Sequence, residues 1–486
     1  MTPSARTGLR PAHGRAAAAG TSPAPPELTI LGGGPAGLGV AYYARRSGVP
    51  FALYEGSLEL GGMCRTLSCG EHLYDRGAHR FHDRDPEITL DLLDLMGDEL
   101  VRVNAPSAIR DDGRFVDFPP TPLNVMFAYG VREAGRICLD LVRSGLQRGR
   151  PLVTFEDFAV RRFGRTLARR ILLNYSAKLW GLPTDQLSPD VATRRLQGMT
   201  LRSLLYEILF PGAKTEHVDG SFLYPRGGYG RIVEALAASL PPESLRVGCE
   251  VAALDLEGSR IARIRFRDGR IGAVRGRVVS TLPLSLLARM LGDALPAPAR
   301  EAASRLRFRH VRLLFLRLGV PRLSRYASIY VPDPAFCVSR MYEPRNRSAA
   351  MAPAGETSLV VEAPCFEDDA VARLGPEQFR DRVVAELAAL GLLEPGTVLD
   401  WRHHFVPNAY PVYAHGYERE VATVREALES VKNLDTLGRA GRFVYSHLHD
   451  QLRYGRDYVD ALVSGAARMD AGRDAAGATP LRAYSA

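Results

Sequence analysis

A glycine-rich turn at residues 32–37, Gly-Gly-Gly-Pro-Ala-Gly, restricts the possible folds of this chain more than any other segment. It follows the short apolar run 28–31, which is typical of a strand, and precedes residues 38–47, whose apolar side chains recur at helical spacing. A second apolar run, 51–54, ends in Glu55. The order of these segments predicts a β-α-β unit in which the glycines connect the first strand to the helix.

The spacing of the glycines makes this turn a candidate nucleotide site. Gly32, Gly34 and Gly37 follow the pattern G-x-G-x-x-G. In it the first glycine permits a tight turn, the second lets the backbone approach a pyrophosphate, and the third allows close helix-to-strand packing. The helix N-terminus faces the phosphates, and Glu55 is placed to accept hydrogen bonds from ribose hydroxyls. The contacts predicted for the turn are Gly32, Gly34, Pro35, Ala36 and Gly37.

A double glycine follows shortly after Glu55, in the segment Leu-Gly-Gly-Met-Cys-Arg at 60–65. With it, the chain resembles the FAD-binding superfamily of amine oxidases, protoporphyrinogen oxidases, carotenoid desaturases and UDP-galactopyranose mutases over residues 27–465. In that superfamily the final segment also touches the flavin, and residues 438–445 lie at the matching place. The resemblance implies FAD as the cofactor, with the further contacts Gly61, Gly62, Arg65 and Arg439.

The resemblance also implies the fold class and the domain organisation. We expect an α/β fold with a Rossmann-like FAD-binding domain of the GR2 type, discontinuous in sequence, and an inserted substrate domain of mixed helices and β-sheet. The FAD-binding domain is predicted at 27–105, 215–285 and 405–465, and the substrate domain at 106–214 and 286–404. Residues 106–214 are expected to be mainly helical, with amphipathic segments at 122–145, 154–180 and 191–208. A disordered leader is expected at 1–26 and a flexible tail at 466–486.

Several local motifs are most similar to those of UDP-galactopyranose mutases. The segment Gly-Ala-His-Arg-Phe-His at 77–82 is similar to a family motif whose histidines lie near the flavin, which makes His79 and His82 candidate catalytic residues. Neutral imidazoles there could exchange hydrogen bonds with the reactive edge of the ring. The alternative is that one or both histidines are structural core residues.

A second similar motif is Tyr-Ser-Ala-Lys-Leu-Trp at 175–180. In the family its tyrosine stacks on the uracil, so Tyr175 and Trp180 are candidate substrate contacts, although both could equally be core residues of a helix. Further candidate positions are Arg194 or Arg195, Arg340, Tyr410 and Tyr445. Arginines from distant segments that converge on one cleft suit a diphosphate, because guanidinium groups bind phosphate oxygens bidentately.

Departures from that family leave more than one function open. His447 and His449 stand where the family has acidic residues, and residues 215–431 contain no lysine, which argues against ordinary amine oxidation. One hypothesis is a sugar mutase that uses reduced FAD for covalent catalysis. Another is an oxidoreductase in which a histidine acts as general base while FAD takes a hydride. The third is a flavin-free binding module.

The remaining composition excludes several function classes. Lysines account for three of the 63 basic residues, and the arginines are spread along the chain without a basic stripe, so we expect no nucleic-acid partner. No apolar run approaches the ~18 residues of a membrane span. Six cysteines without C-x-x-C spacing favour a reducing cytoplasm and no metal site. The expected partners are a small-molecule substrate, with a nucleotide sugar as one candidate, and an external electron donor or acceptor.

Overall fold

The computed structural model describes residues 27–118, 122–146, 151–195 and 221–465. Its strands are, in chain order, Leu28–Leu31 (β1), Phe51–Tyr54 (β2), Thr66–Cys69 (β3), His72–Asp75 (β4), Leu100–Asn104 (β5), Ser107–Asp111 (β6), Arg114–Phe118 (β7), Ser221–Pro225 (β8), Leu245–Arg246 (β9), Val251–Glu257 (β10), Arg260–Phe266 (β11), Ile271–Ala273 (β12), Arg277–Ser280 (β13), Phe308–Leu318 (β14), Ser328–Tyr330 (β15), Arg340–Tyr342 (β16), Thr357–Cys365 (β17), Val398–Pro411 (β18) and Leu434–Thr436 (β19).

The helices follow the same chain order. They are Pro35–Arg46 (α1), Pro86–Met96 (α2), Pro122–Tyr129 (α3), Val131–Leu146 (α4), Phe155–Phe163 (α5), Arg165–Leu167 (α6), Asn174–Trp180 (α7), Asp190–Arg195 (α8), Gly230–Ala238 (α9), Leu284–Leu291 (α10), Ala297–Arg305 (α11), Ala370–Arg373 (α12), Pro376–Ala389 (α13), Tyr417–Glu429 (α14), Gly438–Gly441 (α15) and Leu448–Val463 (α16). None of the helices in the described ranges is long and apolar enough to cross a membrane.

A parallel five-stranded sheet carries the predicted nucleotide site. Its order is β19-β13-β1-β2-β9, so β1 is the central strand and the predicted β-α-β unit of β1, α1 and β2 is confirmed. Helix α1 packs against α16 so closely that a Cβ on Gly455 would lie 2.7 Å from the carbonyl carbon of Gly39. This contact brings the C-terminal part of the chain beside the glycine-rich turn.

A seven-stranded sheet of order β18-β14-β17-β16-β15-β6-β7 forms the other large layer. The hairpin of β6 and β7 extends it, so the expectation that residues 106–214 are mainly helical is wrong for 107–118. Asp112 and Gly113 have φ angles of 48° and 71° in the hairpin turn, as an Asp-Gly pair allows.

The segments predicted as amphipathic helices at 122–145 and 154–180 do form helices, α3 to α7, and part of 191–208 lies outside the described residues. The leader 1–26 and the tail 466–486 lie outside them as well. The division into two domains stays a proposal, and its boundary at 405 falls inside β18.

Candidate active site

The glycine-rich turn has the close packing that its sequence pattern requires. Gly32 has a φ of +103°, in the left-handed region that favours glycine. A Cβ on Gly37 would lie 1.9 Å from the carbonyl oxygen of Gly32, so the first turn of α1 rests directly against the end of β1. Neither position accommodates a side chain without displacing the backbone.

Gly34 differs from its neighbours because the space in front of it is open. No heavy atom lies within 4 Å of the position that its Cβ would occupy. Gly34 lines a cavity together with Pro35 and Ala36 at the N-terminus of α1. Backbone amides that face an open space at a helix N-terminus form a site for phosphate oxygens.

Glu55 and the double glycine hold this turn in place. The Glu55 carboxylate accepts hydrogen bonds from the amides of Gly33, at 2.7 Å, and Ser57, at 2.8 Å. Gly61 donates its amide to the Gly33 carbonyl at 2.8 Å. A Cβ on Gly62 would lie 3.2 Å from the Gly34 Cα. Arg65, in contrast, pairs with Glu59 and does not line the described cavity.

The cavity has a volume of about 460 Å³ and runs from the glycine-rich turn to an aromatic wall. It brings together most of the side chains that the sequence singles out. Those that line it are His79, His82, Tyr175, Arg340, Tyr410, Arg439, Tyr445 and His447.

Arg439 is the lining residue that most clearly lacks a protein partner. Its guanidinium carbon lies 4.8 Å from the ring centre of Tyr410 and 4.4 Å from that of Tyr445. Its Nε and Nη2 are buried, and neither has a hydrogen-bond acceptor among the described residues. Buried donors without acceptors are costly, so Arg439 is suited to an anionic ligand in the cavity. With the open Gly34 turn and the Glu55 carboxylate, these residues fit FAD.

Arg340 has a different environment from the one its sequence motif suggests. It forms a bidentate pair with Glu362, with Nε and Nη2 donating to the two carboxylate oxygens at 2.9 and 2.8 Å. Glu362 also accepts the Ala78 amide at 2.9 Å. Although burial opposes its charge, the Glu362 carboxylate raises the pKa of Arg340 above its ordinary value. The charge of Arg340 is therefore neutralised within the protein.

The two predicted histidines are neutral in this environment. Burial lowers the pKa of His79 to about 3 and that of His82 to about 3. His79 Nε2 lies 2.9 Å from the Met63 carbonyl, to which it donates, and its ring stacks on Tyr229 at 5.1 Å. His82 forms no hydrogen bond through its ring with any described residue, and its ring lies edge-on to that of His447 at 5.4 Å.

His447 and His449 are fixed at the start of α16. Asp450 accepts the His447 amide at 2.7 Å and lies 3.3 Å from His449 Nε2. The two imidazoles stack with their centres 5.6 Å apart. Burial lowers the pKa of His447 to about 4, so this imidazole is also neutral at pH 7. His447 lines the cavity, whereas His449 is buried behind it.

The aromatic motif of α7 is divided between the cavity and the core. Tyr175 lines the cavity, edge-on to Tyr330 at 5.4 Å. Trp180 is 1% exposed and does not line the described cavity, because its ring packs against Tyr410 and Tyr413. The side chains of Arg194 and Arg195, at the end of α8, lie outside the described part of the chain.

Sequence reasoning missed several lining residues. Arg80 lies inside the 77–82 segment and lines the cavity, but the motif similarity of this segment pointed only to its histidines. Glu362 had a usable signal, since it is the one charged residue in the apolar strand β17. Tyr330 had no such signal in the sequence.

No lysine is among the described lining residues of the cavity. Lys178, in the helix that carries Tyr175, donates instead to the carbonyls of Val331 and Val338 at 2.8 and 2.9 Å.

Comparison with known proteins finds a related sequence and several similar folds. Polyamine oxidase 1 of Oryza sativa subsp. japonica is 35% identical over 141 residues, and this match spans 26% of each chain. The solved structure of reduced UDP-galactopyranose mutase has a similar fold, with a TM-score of 0.81 and 22% identity, covering 94% of this chain and 97% of that one. A structure assigned as a protoporphyrinogen oxidase from Exiguobacterium sp. 255-15 has a TM-score of 0.71 and 19% identity, covering 92% of this chain and all of that one, 100%.

Most of the sequence also matches the model of a protein family. Residues 35–434 match the flavin containing amine oxidoreductases, and this range contains most of the α/β fold described above. FAD is the cofactor of that family, which confirms the cofactor expected from the resemblance to FAD-binding proteins. The chain therefore belongs to the family of flavin containing amine oxidoreductases.

Proposed function

We propose that this chain is an FAD-dependent enzyme acting on a small anionic metabolite, with a nucleotide sugar as the substrate class. The charge of the cavity carries the proposal. Its described lining has two carboxylates, and each is already paired: Asp83 with Arg102, and Glu362 with Arg340. The arginines of the lining are Arg76, Arg80, Arg84, Arg340 and Arg439. Such an excess of guanidinium groups favours a phosphate-bearing ligand.

The aromatic end of the cavity supports a nucleotide in particular. Tyr175, Tyr330 and Phe118 line it, with the Phe118 and Tyr330 rings 5.3 Å apart. Rigid aromatic rings offer apolar area to a base at little entropic cost. A base at this wall would place its phosphates toward the arginines. The similarity in fold to UDP-galactopyranose mutase adds support.

The cofactor and the side chains of the cavity have different roles in this proposal. When bound, FAD supplies the redox or nucleophilic chemistry of its ring. Arg439 holds negative charge between Tyr410 and Tyr445, and the Arg340–Glu362 pair fixes the amide of Ala78 beside His79. His82 and His447 line the cavity as neutral imidazoles that can exchange hydrogen bonds with a substrate hydroxyl.

These two imidazoles favour a second candidate function. An oxidoreductase that removes a hydride from a biosynthetic intermediate needs a neutral base beside the reacting carbon. His82 and His447 line the cavity in the unprotonated form that such a base needs, and this position is their support for the oxidoreductase. Their pKa values of about 3 and 4 make both weak bases at pH 7. An external electron acceptor would then be required.

A polyamine substrate is disfavoured by the same charges. A polyamine carries several positive charges at pH 7, and like charges that face each other across a binding site cost several kcal/mol. The arginine-rich lining has no unpaired carboxylate among its described residues. The resemblance to polyamine oxidase 1 over 26% of the chain thus reflects the family and not the substrate.

The proposal is tested by presenting UDP-galactose to the holoenzyme in both redox states. A ring-isomerised product from the dithionite-reduced enzyme, detected by chromatography, supports the mutase function. Bleaching of the oxidised flavin by a nucleotide sugar supports the oxidoreductase. Bleaching by putrescine or spermidine alone would contradict the anionic substrate class.

A further inference from the structure

Arg80 is a half-buried charged residue that has no carboxylate partner among the described residues. Its Nη2 donates to the hydroxyls of Ser107, at 2.6 Å, and Ser328, at 3.2 Å, and its guanidinium carbon lies 5.0 Å from the Phe222 ring centre. Neither Nε nor Nη1 bonds to a described residue. Arg80 lines the cavity, so these free donors are accessible to a ligand.

The groups around Arg80 increase the local positive charge. Arg347 shares the Ser328 hydroxyl, at 3.2 Å, and otherwise donates to the carbonyls of His79 and Ala327. Arg340 is neutralised by Glu362. Asp75, the other buried carboxylate nearby, is bonded to the Tyr224 and Thr66 hydroxyls and the Tyr229 amide. Arg80 and Arg347 therefore share the Ser328 hydroxyl, and their other acceptors among the described residues are the Ser107 hydroxyl and two carbonyls, with no carboxylate among them.

A buried charge of this kind is stable when an anion completes its environment. Burial lowers the pKa of Arg80 to about 10, so it remains a cation at neutral pH. Arg80 lines the same cavity as Tyr175 and Tyr330, whose ring centres are 5.4 Å apart. An anion there would lie next to the aromatic wall that we assign to the base.

We propose that Arg80, and not Arg340, forms the anion subsite that binds the substrate's phosphate, with the free Nε and Nη1 as donors. Arg340 stays paired with Glu362 and positions the loop at Ala78. This inference rests on the proposed nucleotide-type substrate and specifies which residue recognises it. Phosphate and carboxylate share the chemistry that Arg80 would bind, so the test separates them.

The experiment titrates FAD-loaded protein with UDP, inorganic pyrophosphate and glucuronate, following the flavin absorbance bands and the Tm. Two variants of Arg80 are compared with the wild type. Arg80→Met removes the positive charge at similar side-chain volume, and Arg80→Lys keeps the positive charge but lacks the bidentate donors of the guanidinium group. Arg300→Met is the matched control, because Arg300 is paired with Asp293 on the surface. Loss of charge-assisted hydrogen bonds should raise the Kd for UDP and pyrophosphate about 10- to 100-fold in Arg80→Met.

Several results are distinguishable. We expect Arg80→Lys to be intermediate, Arg300→Met unchanged, and the flavin content equal in all variants. Arg80→Met should unfold at the same temperature as the unliganded wild type or higher, since it removes the positive charge of Arg80 beside that of Arg347. If Arg80→Met does not fold, unchanged UDP affinity in a folded Arg80→Lys overturns the inference, and weakened affinity supports it.

The remaining outcomes overturn part or all of the proposal. Wild-type UDP affinity in a folded Arg80→Met variant would overturn the subsite and leave the proposed function standing. A wild-type protein that binds neither UDP nor pyrophosphate would overturn both. Glucuronate binding that depends on Arg80, without pyrophosphate binding, would overturn the phosphate assignment in favour of a carboxylate.

Discussion

Gly34→Val should separate cofactor binding from folding. Gly34 has φ −76° and ψ −176°, an extended conformation that valine adopts readily, and no heavy atom lies within 4 Å of its Cβ position. The added Cβ therefore contacts no protein atom. We expect the unfolding free energy of the apoprotein to change by less than about 0.5 kcal/mol, as for a surface substitution.

The same side chain fills the space in front of the α1 N-terminus, where the pyrophosphate of FAD would bind. Displacing it breaks at least two hydrogen bonds to a charged group, at about 1.5 kcal/mol each, so the Kd for FAD should rise roughly 100-fold or more. The comparison variant is Gly37→Ala, whose Cβ would lie 1.9 Å from the Gly32 oxygen. That overlap displaces α1 from β1 and should cost about 1–3 kcal/mol of stability.

The assay measures two quantities on each purified protein. Thermal unfolding of the FAD-free protein reports stability, and quenching of FAD fluorescence on titration reports affinity. Gly34→Val should keep its Tm and lose FAD, whereas Gly37→Ala should lose Tm. Gly34→Val protein that binds FAD with wild-type affinity would refute the assignment of this turn to the pyrophosphate.

Three further predictions concern the cavity. Glu362→Gln leaves the buried Arg340 without its carboxylate and should cost about 3–5 kcal/mol of stability, measured by denaturant unfolding. The same change should tighten UDP binding, because the charge of Arg340 is no longer neutralised. Weaker UDP binding would contradict this. Burial holds the pKa of His82 at about 3, below the ordinary 6.5, so unfolding takes up a proton and Tm should fall as pH drops from 6.5 toward 3. His82→Gln should show a shallower fall in the same scan, and parallel curves would count against the buried neutral imidazole. Tyr175→Leu should weaken UDP binding several-fold and leave inorganic pyrophosphate binding unchanged, and equal losses for both ligands would remove Tyr175 from the base site.

Local sequence patterns predicted the glycine-rich turn between β1 and α1 correctly because its geometry is local. Gly32 needs its positive φ, and Gly37 has no room for a side chain, so both requirements act within a few residues. The hairpin at 107–118 was missed within a segment interpreted as helical, although Asp112-Gly113 is a recognisable hairpin turn.

The composition of the cavity could not be predicted in the same way, because it is formed by tertiary contacts between distant segments. Arg340 contacts Glu362 because the two residues lie opposite each other in the pairing of β16 with β17, which local sequence does not reveal. Tyr175 and Trp180 were expected to share one site, yet residues five apart on a helix point about 140° away from each other. Trp180 accordingly packs into the core. The cytoplasmic location and the external electron partner expected from the sequence stay predictions.

The most direct test of the central claim is a UDP titration of the FAD-loaded protein, followed by the flavin absorbance bands in oxidised and dithionite-reduced forms, with putrescine titrated in parallel. We predict a saturable perturbation by UDP at micromolar concentration and none by putrescine, because the cavity is lined by arginines whose nearby carboxylates are already paired. A flavin spectrum that responds to putrescine and is indifferent to UDP would contradict the account.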